Sequence, residues 1–243
     1  MTTPPPEGGV GTAVRFRFTK HGKVRFTSHR DVARLWERAL RRADVEVVYS
    51  EGFSPRPRLA FGLALPTGHE SDGEYVDVRL VEAPEHVSLL CARLTDVLPE
   101  GLDVPVATVI PPGTPSLQEV VGACTWTAEI DGPDLPRAEA AVAATLASGE
   151  LPVERERKGK AQVVDLRPAL EELAVEEVGP GVLLTMVLAT RPASFRPEEV
   201  LEVLDPSWRL RRACRKHQWI TDEATWREPV PLAPSSRAEV RAS

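Results

Sequence analysis

The first regular pattern in the chain is an alternation. Val14, Phe16 and Phe18 alternate with Arg15, Arg17 and Thr19, which predicts a half-buried strand with its basic side outward. Val24-Arg25-Phe26 predicts a continuation of that strand across a His21-Gly22-Lys23 turn. The period then lengthens. Ser28 followed three positions later by Asp31 is a capping-box pattern, because the hydroxyl can satisfy an orphan amide and the carboxylate suits the positive end of a helix. A helix is therefore predicted from near His29. Val32, Leu35, Trp36, Ala39, Leu40 and Ala43 recur at steps of three and four, so they form one apolar stripe facing a core. Arg30, Arg34, Arg38, Arg41 and Arg42 fall mostly on the opposite side, with Glu37 one turn before Arg41 and placed to pair with it.

Further strands are predicted at Val45–Ser50, at Leu59–Leu65 (bulky Leu59, Phe61, Leu63 and Leu65 alternating with Ala60, Gly62 and Ala64), at Glu74–Leu80 and at Asp103–Ile110. A helix is predicted over Pro84–Leu98. If Val45–Ser50 and Leu59–Leu65 are one strand interrupted by a loop, the order is strand, helix, strand, strand, helix, strand, the ferredoxin-like arrangement. From Cys124 the pattern recurs: a strand at Thr125–Ile130, a helix at Pro136–Ala147, strands at Val153–Arg157, Ala161–Arg167, Ala174–Val178 and Val182–Thr190, a helix at Pro197–Leu204 and a strand at Trp208–Cys214. The second half holds one hairpin too many for a simple copy. The expectation is an α+β protein of tandem ferredoxin-like (βαββαβ) domains, antiparallel sheets with helices on one face. The first spans residues 13–112 and the second 123–220, with flexible ends at 1–12 and 228–243.

Charge changes the picture more than composition does. The net charge is −6, against a general nucleic-acid binder. Yet residues 15–58 hold twelve Arg or Lys against five Asp or Glu, and residues 207–219 hold Arg209, Arg211, Arg212, Arg215 and Lys216 with no acid. Such segregation can focus an anion onto one region while the acidic remainder keeps the surface soluble. No apolar run reaches the roughly 20 residues of a membrane span, and the first residues lack a signal-peptide pattern, so a cytoplasmic protein is expected. Cys91, Cys124 and Cys214 lie far apart and form no CxxC pair, which predicts reduced structural thiols and no zinc site.

The segment Ser50-Glu51-Gly52-Phe53-Ser54-Pro55-Arg56-Pro57-Arg58 has too many turn formers for regular structure, and its prolines predict a stiff, ordered loop. Gly52 permits close backbone approach, Phe53 offers a stacking face, and Arg56 and Arg58 supply planar donor forks for phosphate or carboxylate. A second candidate surface is the helix-free face of the first sheet, carrying Arg15, Arg17, Tyr75, Asp77 and Arg79 around the bare strip of Ala60, Gly62 and Ala64. Its alternative is a covered face. His29, at the helix start with Ser28, Tyr49 and Ser50 as potential neighbours, is a candidate base for attack of a ribose hydroxyl on phosphate; a capping or hydrogen-bonding role is the simpler alternative. Glu70, Asp72, Glu74 and Asp77 form an acidic group that is either a magnesium site or, more simply, a solvated turn. No phosphate-binding glycine loop, nucleophile elbow or HExxH is present.

The runs FTSHRDVARLWERALRRA, VVYSEGFSPRPRLAFGLALPTG and ESDGEYVDVRL, in that order, resemble the radical-SAM-linked protein family, a domain of uncharacterised function; KGKAQVVDLRPAL adds a weaker likeness later in the chain. The resemblance implies a companion of a separately encoded radical SAM protein, since this chain lacks the CxxxCxxC that holds an iron–sulfur cluster. The resulting expectation is an accessory protein, with no cofactor and no catalysis of its own, that binds RNA or another nucleotide-like anion. The residues expected to do so are Arg30, Arg34, Arg38, Arg41, Tyr49, Ser50, Gly52, Phe53, Arg56, Arg58 and Tyr75. Two other readings stand beside it: a metal-independent ribonuclease or RNA-modifying enzyme using His29, and a module that only docks on the radical SAM partner.

Overall fold

The structure is a computed structural model that describes residues 11–157, 159–222 and 225–232. It is a mixed α+β protein with antiparallel strand pairing and five α-helices among the described residues. None of these helices is long and apolar enough to cross a membrane. The chain divides into two compact units: one holds residues up to Val120 together with 229–232, the other Val121–Glu228. The cysteines Cys91, Cys124 and Cys214 are buried and form no disulfide.

The first unit runs β1 (Thr12–Lys20), α1 (His29–Arg42), β2 (Leu59–Phe61), β3 (Glu70–Leu80), α2 (Val87–Val97), β4 (Val106–Ile110) and the short α3 (Leu117–Val120). Its strands pair in the order β4-β1-β3-β2, all antiparallel. Val14, Phe16 and Phe18 of β1 and Val76, Val78 and Leu80 of β3 meet Val32, Trp36, Ala39 and Leu40 of α1 and Leu90, Cys91 and Leu94 of α2 in one apolar core. Trp36 is fully buried, 5.7 Å from the Phe16 ring and 5.2 Å from Phe18. Helix α1 starts as its sequence requires: Ser28 Oγ accepts the Asp31 backbone N–H at 3.2 Å and donates to the Asp31 carboxylate at 2.7 Å. It ends where Asp44 turns left-handed (φ 50°) and Val45 N–H reaches back to Leu40 O at 3.0 Å.

Several expectations are corrected here. Val24-Arg25-Phe26 belongs to a 3₁₀ turn, Gly22–Phe26, because Gly22 takes φ 61° and the Thr27 N–H closes onto Val24 O. Glu70, buried at 6 % exposure, fastens that turn by accepting Gly22 N–H at 3.0 Å and the Arg25 guanidinium at 3.2 Å. Val45–Ser50 is not a strand. It makes isolated bridges, Val47 to Leu80 and Tyr49 to Pro57, and β2 shrinks to three residues. The helix-free side of the sheet is not open: Arg15, Arg17 and Tyr75 are 1–3 % exposed, and Arg15 grips Asp77, its direct cross-strand partner, through two bonds of 2.7 and 2.8 Å. The acidic group is neither a solvated turn nor a converging ligand set. Asp77 serves Arg15, Asp72 serves His21, Glu70 serves the turn, and Glu74 is buried.

The second unit runs β5 (Val121–Asp131), α4 (Leu135–Ala147), β6 (Pro152–Arg157), β7 (Lys160–Asp165), β8 (Leu170–Val178), β9 (Gly181–Ala189), α5 (Pro197–Leu204), β10 (Arg209–Thr221) and β11 (Trp226–Arg227). Its main strands pair in the order β10-β5-β9-β8, again all antiparallel, with β11 on β10. The β6–β7 hairpin forms its own two-stranded sheet, so it is the extra hairpin of the sequence pattern. With that hairpin, α3 and β11 set aside, element order and sheet order match those of the first unit. Strand β10 is longer than expected, running to Thr221, where Trp219 packs with Ala123, Val187 and Trp226. The expected flexible ends fall largely outside the described residues; where they do not, they are ordered. Thr12 opens β1, and Glu228 and Val230 are buried.

Two measurements test this packing. Trp36→Ala removes the side chain that α1 shares with both β1 phenylalanines, and should lower the unfolding free energy by about 3–5 kcal/mol in urea titrations. A loss under about 1 kcal/mol would show that α1 is anchored elsewhere. His21 lies 2.9 Å from Asp72 and 3.6 Å from Glu70, and the hydrogen bond to Asp72 raises its pKa above the ordinary value near 6.5. A raised folded pKa stabilises fully below about pH 6.5 and loses that effect as pH climbs through the folded value. The melting-temperature gap between wild type and His21→Asn should therefore be widest near pH 6 and narrow towards pH 9.

Candidate functional site

With its apolar stripe fixed on the sheet, α1 must present the opposite side to solvent. Arg30, Arg34, Arg38, Arg41 and Arg42 are all exposed. Arg34 pairs with Asp31 at 3.1 Å, and Asp31 is held below the usual carboxylate range by the Ser28 hydroxyl first and then by Arg34. Arg38, Arg41 and Arg42 make no ion pair among the described residues. The expected bridge from Glu37 to Arg41 is not formed, since two long, solvated side chains gain little from meeting.

The loop is built as expected from its prolines, but as a closed tongue. Ser50 N–H donates to Arg56 O at 2.8 Å, and Arg56 N–H donates back to Ser50 Oγ at 3.1 Å. The Tyr49–Pro57 bridge lies just below, and Arg58 N–H donates to Val48 O at 2.9 Å. Gly52 turns the tip with φ 117°, a left-handed value that disfavours any side chain. Phe53 follows it and is 110 % exposed, touching nothing that would shield it.

This tongue and the helix meet in one groove of about 390 Å³, lined by Arg30, Ala33, Arg34, Glu37 and Arg56. Four of these residues come from α1 and Arg56 from the tongue, and Glu37 sets one carboxylate among the three arginines. Arg38, Arg41, Arg42 and Arg58 lie outside the groove and add to the basic field around it. Tyr49 is 41 % exposed at the root of the tongue. Tyr75 and His29 sit elsewhere. They line a small cavity of about 20 Å³ together with Phe61, Lys20 and Glu74, and the His29 ring packs edge-on to Phe61 at 5.2 Å. Among the described residues His29 has no hydrogen bond to Ser28, Tyr49 or Ser50, so the expected grouping around it does not form. Tyr75, expected to face outward, is only 1 % exposed.

The other basic segment behaves in the opposite way. Arg211 and Arg212 both close on Glu129, Arg211 at 2.6 Å, and this pairing holds the Glu129 carboxyl low, the Arg212 hydrogen bond contributing most. Arg215 is buried, its guanidinium 5.4 Å from the Trp126 ring centre. The linear charge count treated both segments alike; the fold ties Arg211 and Arg212 to Glu129, whereas of the exposed α1 arginines Arg34 alone is ion-paired among the described residues, with Asp31.

Residues 13–197 match the family described as "Uncharacterized protein conserved in bacteria (DUF2344)". The chain belongs to that family. No curated protein matches this DUF2344 chain. Among solved structures it is similar to a chain of the "Crystal Structure of a Cbf5-Nop10-Gar1 Complex", at 10 % identity and a TM-score of 0.48, over 84 % of this chain and 48 % of that one. The DUF2344 chain thus spans about half the length of that structural neighbour.

One exposed aromatic of the same basic stretch was not expected from the sequence. Phe26, expected to continue the half-buried first strand, is 62 % exposed at the end of the 3₁₀ turn, with the Arg25 guanidinium 4.7 Å above its ring. The available signal was its place two residues before the Ser28 cap, where a chain entering a helix rarely continues a strand. A test of the local frame follows. Ser28→Ala should cost about 1 kcal/mol of stability through the lost cap, and should let the Asp31 pKa rise when its carboxyl is followed by NMR titration.

Proposed function

We propose that this DUF2344 protein is a cytoplasmic accessory protein of a radical SAM enzyme. It binds RNA or another nucleotide-like anion through α1 and the 50–58 tongue and performs no catalysis of its own. The observation that carries the binding reading is the groove in which Arg30, Arg34 and Arg56 converge from two elements. Guanidinium forks on facing walls match the planar, multidentate geometry of phosphate better than isolated lysines would. The contrast with Arg211 and Arg212, which the fold ties to Glu129, supports it further.

The radical SAM partner rests on the resemblance of residues 26–80 to that linked family. A tandem ferredoxin-like architecture is the finer fold reading, supported by the sheet orders β4-β1-β3-β2 and β10-β5-β9-β8. The ribonuclease reading is less well supported, because His29 packs on Phe61 without a hydrogen-bonding neighbour from its expected group to orient it.

The binding reading is tested by titrating the protein with a short fluorescent RNA at several salt concentrations. Three phosphate contacts predict a slope of log affinity against log salt near about −2 for a single strand. Replacing Arg30, Arg34 and Arg56 together by Ala should flatten that slope and weaken binding at low salt, while Arg211→Ala with Arg212→Ala should leave both unchanged. Equal affinity of the triple variant and wild type would refute the site.

A further inference from the structure

Resting on the anion-binding reading just given, the geometry points to single-stranded nucleic acid, held by base stacking on Phe53 and Phe26 beside the arginine groove, as the ligand class. Aromatic residues are scarce in this chain, at 5 %, and Phe16, Phe18 and Phe195 are buried. The two most exposed phenylalanines among the described residues, Phe53 at 110 % and Phe26 at 62 %, both fall in the basic stretch that forms the groove. Phe53 is three residues from Arg56, which lines one wall, and Phe26 is four residues before Arg30, which lines the other.

Each is held out by local structure. The tongue is closed at its base by the paired Ser50–Arg56 hydrogen bonds, which carry Phe53 at a tip where it is 110 % exposed. Phe26 ends a turn in which the Arg25 guanidinium both donates to Glu70 and sits 4.7 Å over the Phe26 ring. A base stacking there meets an aromatic face already partnered by a guanidinium, an arrangement that tolerates any base because every base has a π-face.

Duplex nucleic acid offers phosphates but no free base faces, so it would use the arginines and leave both rings in water. A single strand uses both sets of groups. Polyphosphate uses only the arginines. The ligand forms are therefore separable by which side chains they need.

The experiment measures affinities of the full chain for one single-stranded RNA 12-mer, the same 12-mer as a duplex, and inorganic polyphosphate. Wild-type protein is compared with Phe53→Ala, Phe26→Ala and the Arg30, Arg34, Arg56 triple Ala variant. Both phenylalanines are exposed, so their replacement leaves the core intact. The expected result is a single strand bound more tightly than duplex, with Phe53→Ala and Phe26→Ala each weakening the single strand about 5- to 100-fold and leaving polyphosphate binding unaltered. A 2-aminopurine base in the strand should be quenched on binding wild type and not on binding Phe53→Ala. Equal affinity for single strand and duplex, or phenylalanine variants with wild-type affinity, would overturn the inference, keep the anion site and recast Phe53 as an anchor for a protein. Loss of all three ligands from wild type would sink the anion site and this inference together.

Discussion

The first unit depends on how Trp36 seats α1 on β1. An indole wedged against Phe16 and Phe18 allows the helix one rotation about its own axis. Its N–H has no hydrogen-bond partner among the described residues, which costs about 1–3 kcal/mol. The side chain is retained inside because its apolar contact outweighs that cost. Once the rotation is set, the arginines have no alternative to solvent, and the cation row follows from the packing of the opposite side.

The tongue contributes what a helix surface lacks, a second wall. Its closure needs few interactions because prolines have already restricted the chain, so little conformational freedom remains to be lost on ordering it. Arg56 shows how tightly backbone and side chain are linked. The same residue that seals the neck through its amide and carbonyl also lines the groove. Charge neutralisation then decides which basic region stays available. Glu129 stands opposite Arg212 across β5 and β10 and captures two guanidinium groups, whereas no carboxylate is positioned to do so along most of α1.

The sequence was a good guide wherever spacing alone determines structure. The Ser28 cap, the α1 stripe and the Pro197–Leu204 helix are local patterns, and the fold reproduces them. The failures share a cause, dependence on partners far away in the chain. Alternation assigned Arg15, Arg17 and Tyr75 to the face away from the helices but carried no information on whether that face is covered. Val45–Ser50 has strand-forming residues, yet it meets neighbours at single points and never builds a ladder. Phe26 looked like a strand residue because three residues cannot distinguish alternation from a 3₁₀ turn. Within the site, the arginines and the tongue were legible, their convergence at Ala33 was not, and the grouping proposed around His29 dissolved because Phe61 occupies the side of the imidazole.

Residues 229–232 belong to the first unit although Val121–Glu228 of the second lie between them and the rest of it. The Val230 carbonyl accepts a hydrogen bond at 3.3 Å from Arg17, a residue 213 positions earlier. During synthesis, then, Arg17 leaves the ribosome long before this acceptor exists. That contact of the first unit must wait until residue 230 has emerged, after Val121–Glu228 of the second unit are already made, so the unit begun first cannot be finished before the other is synthesised.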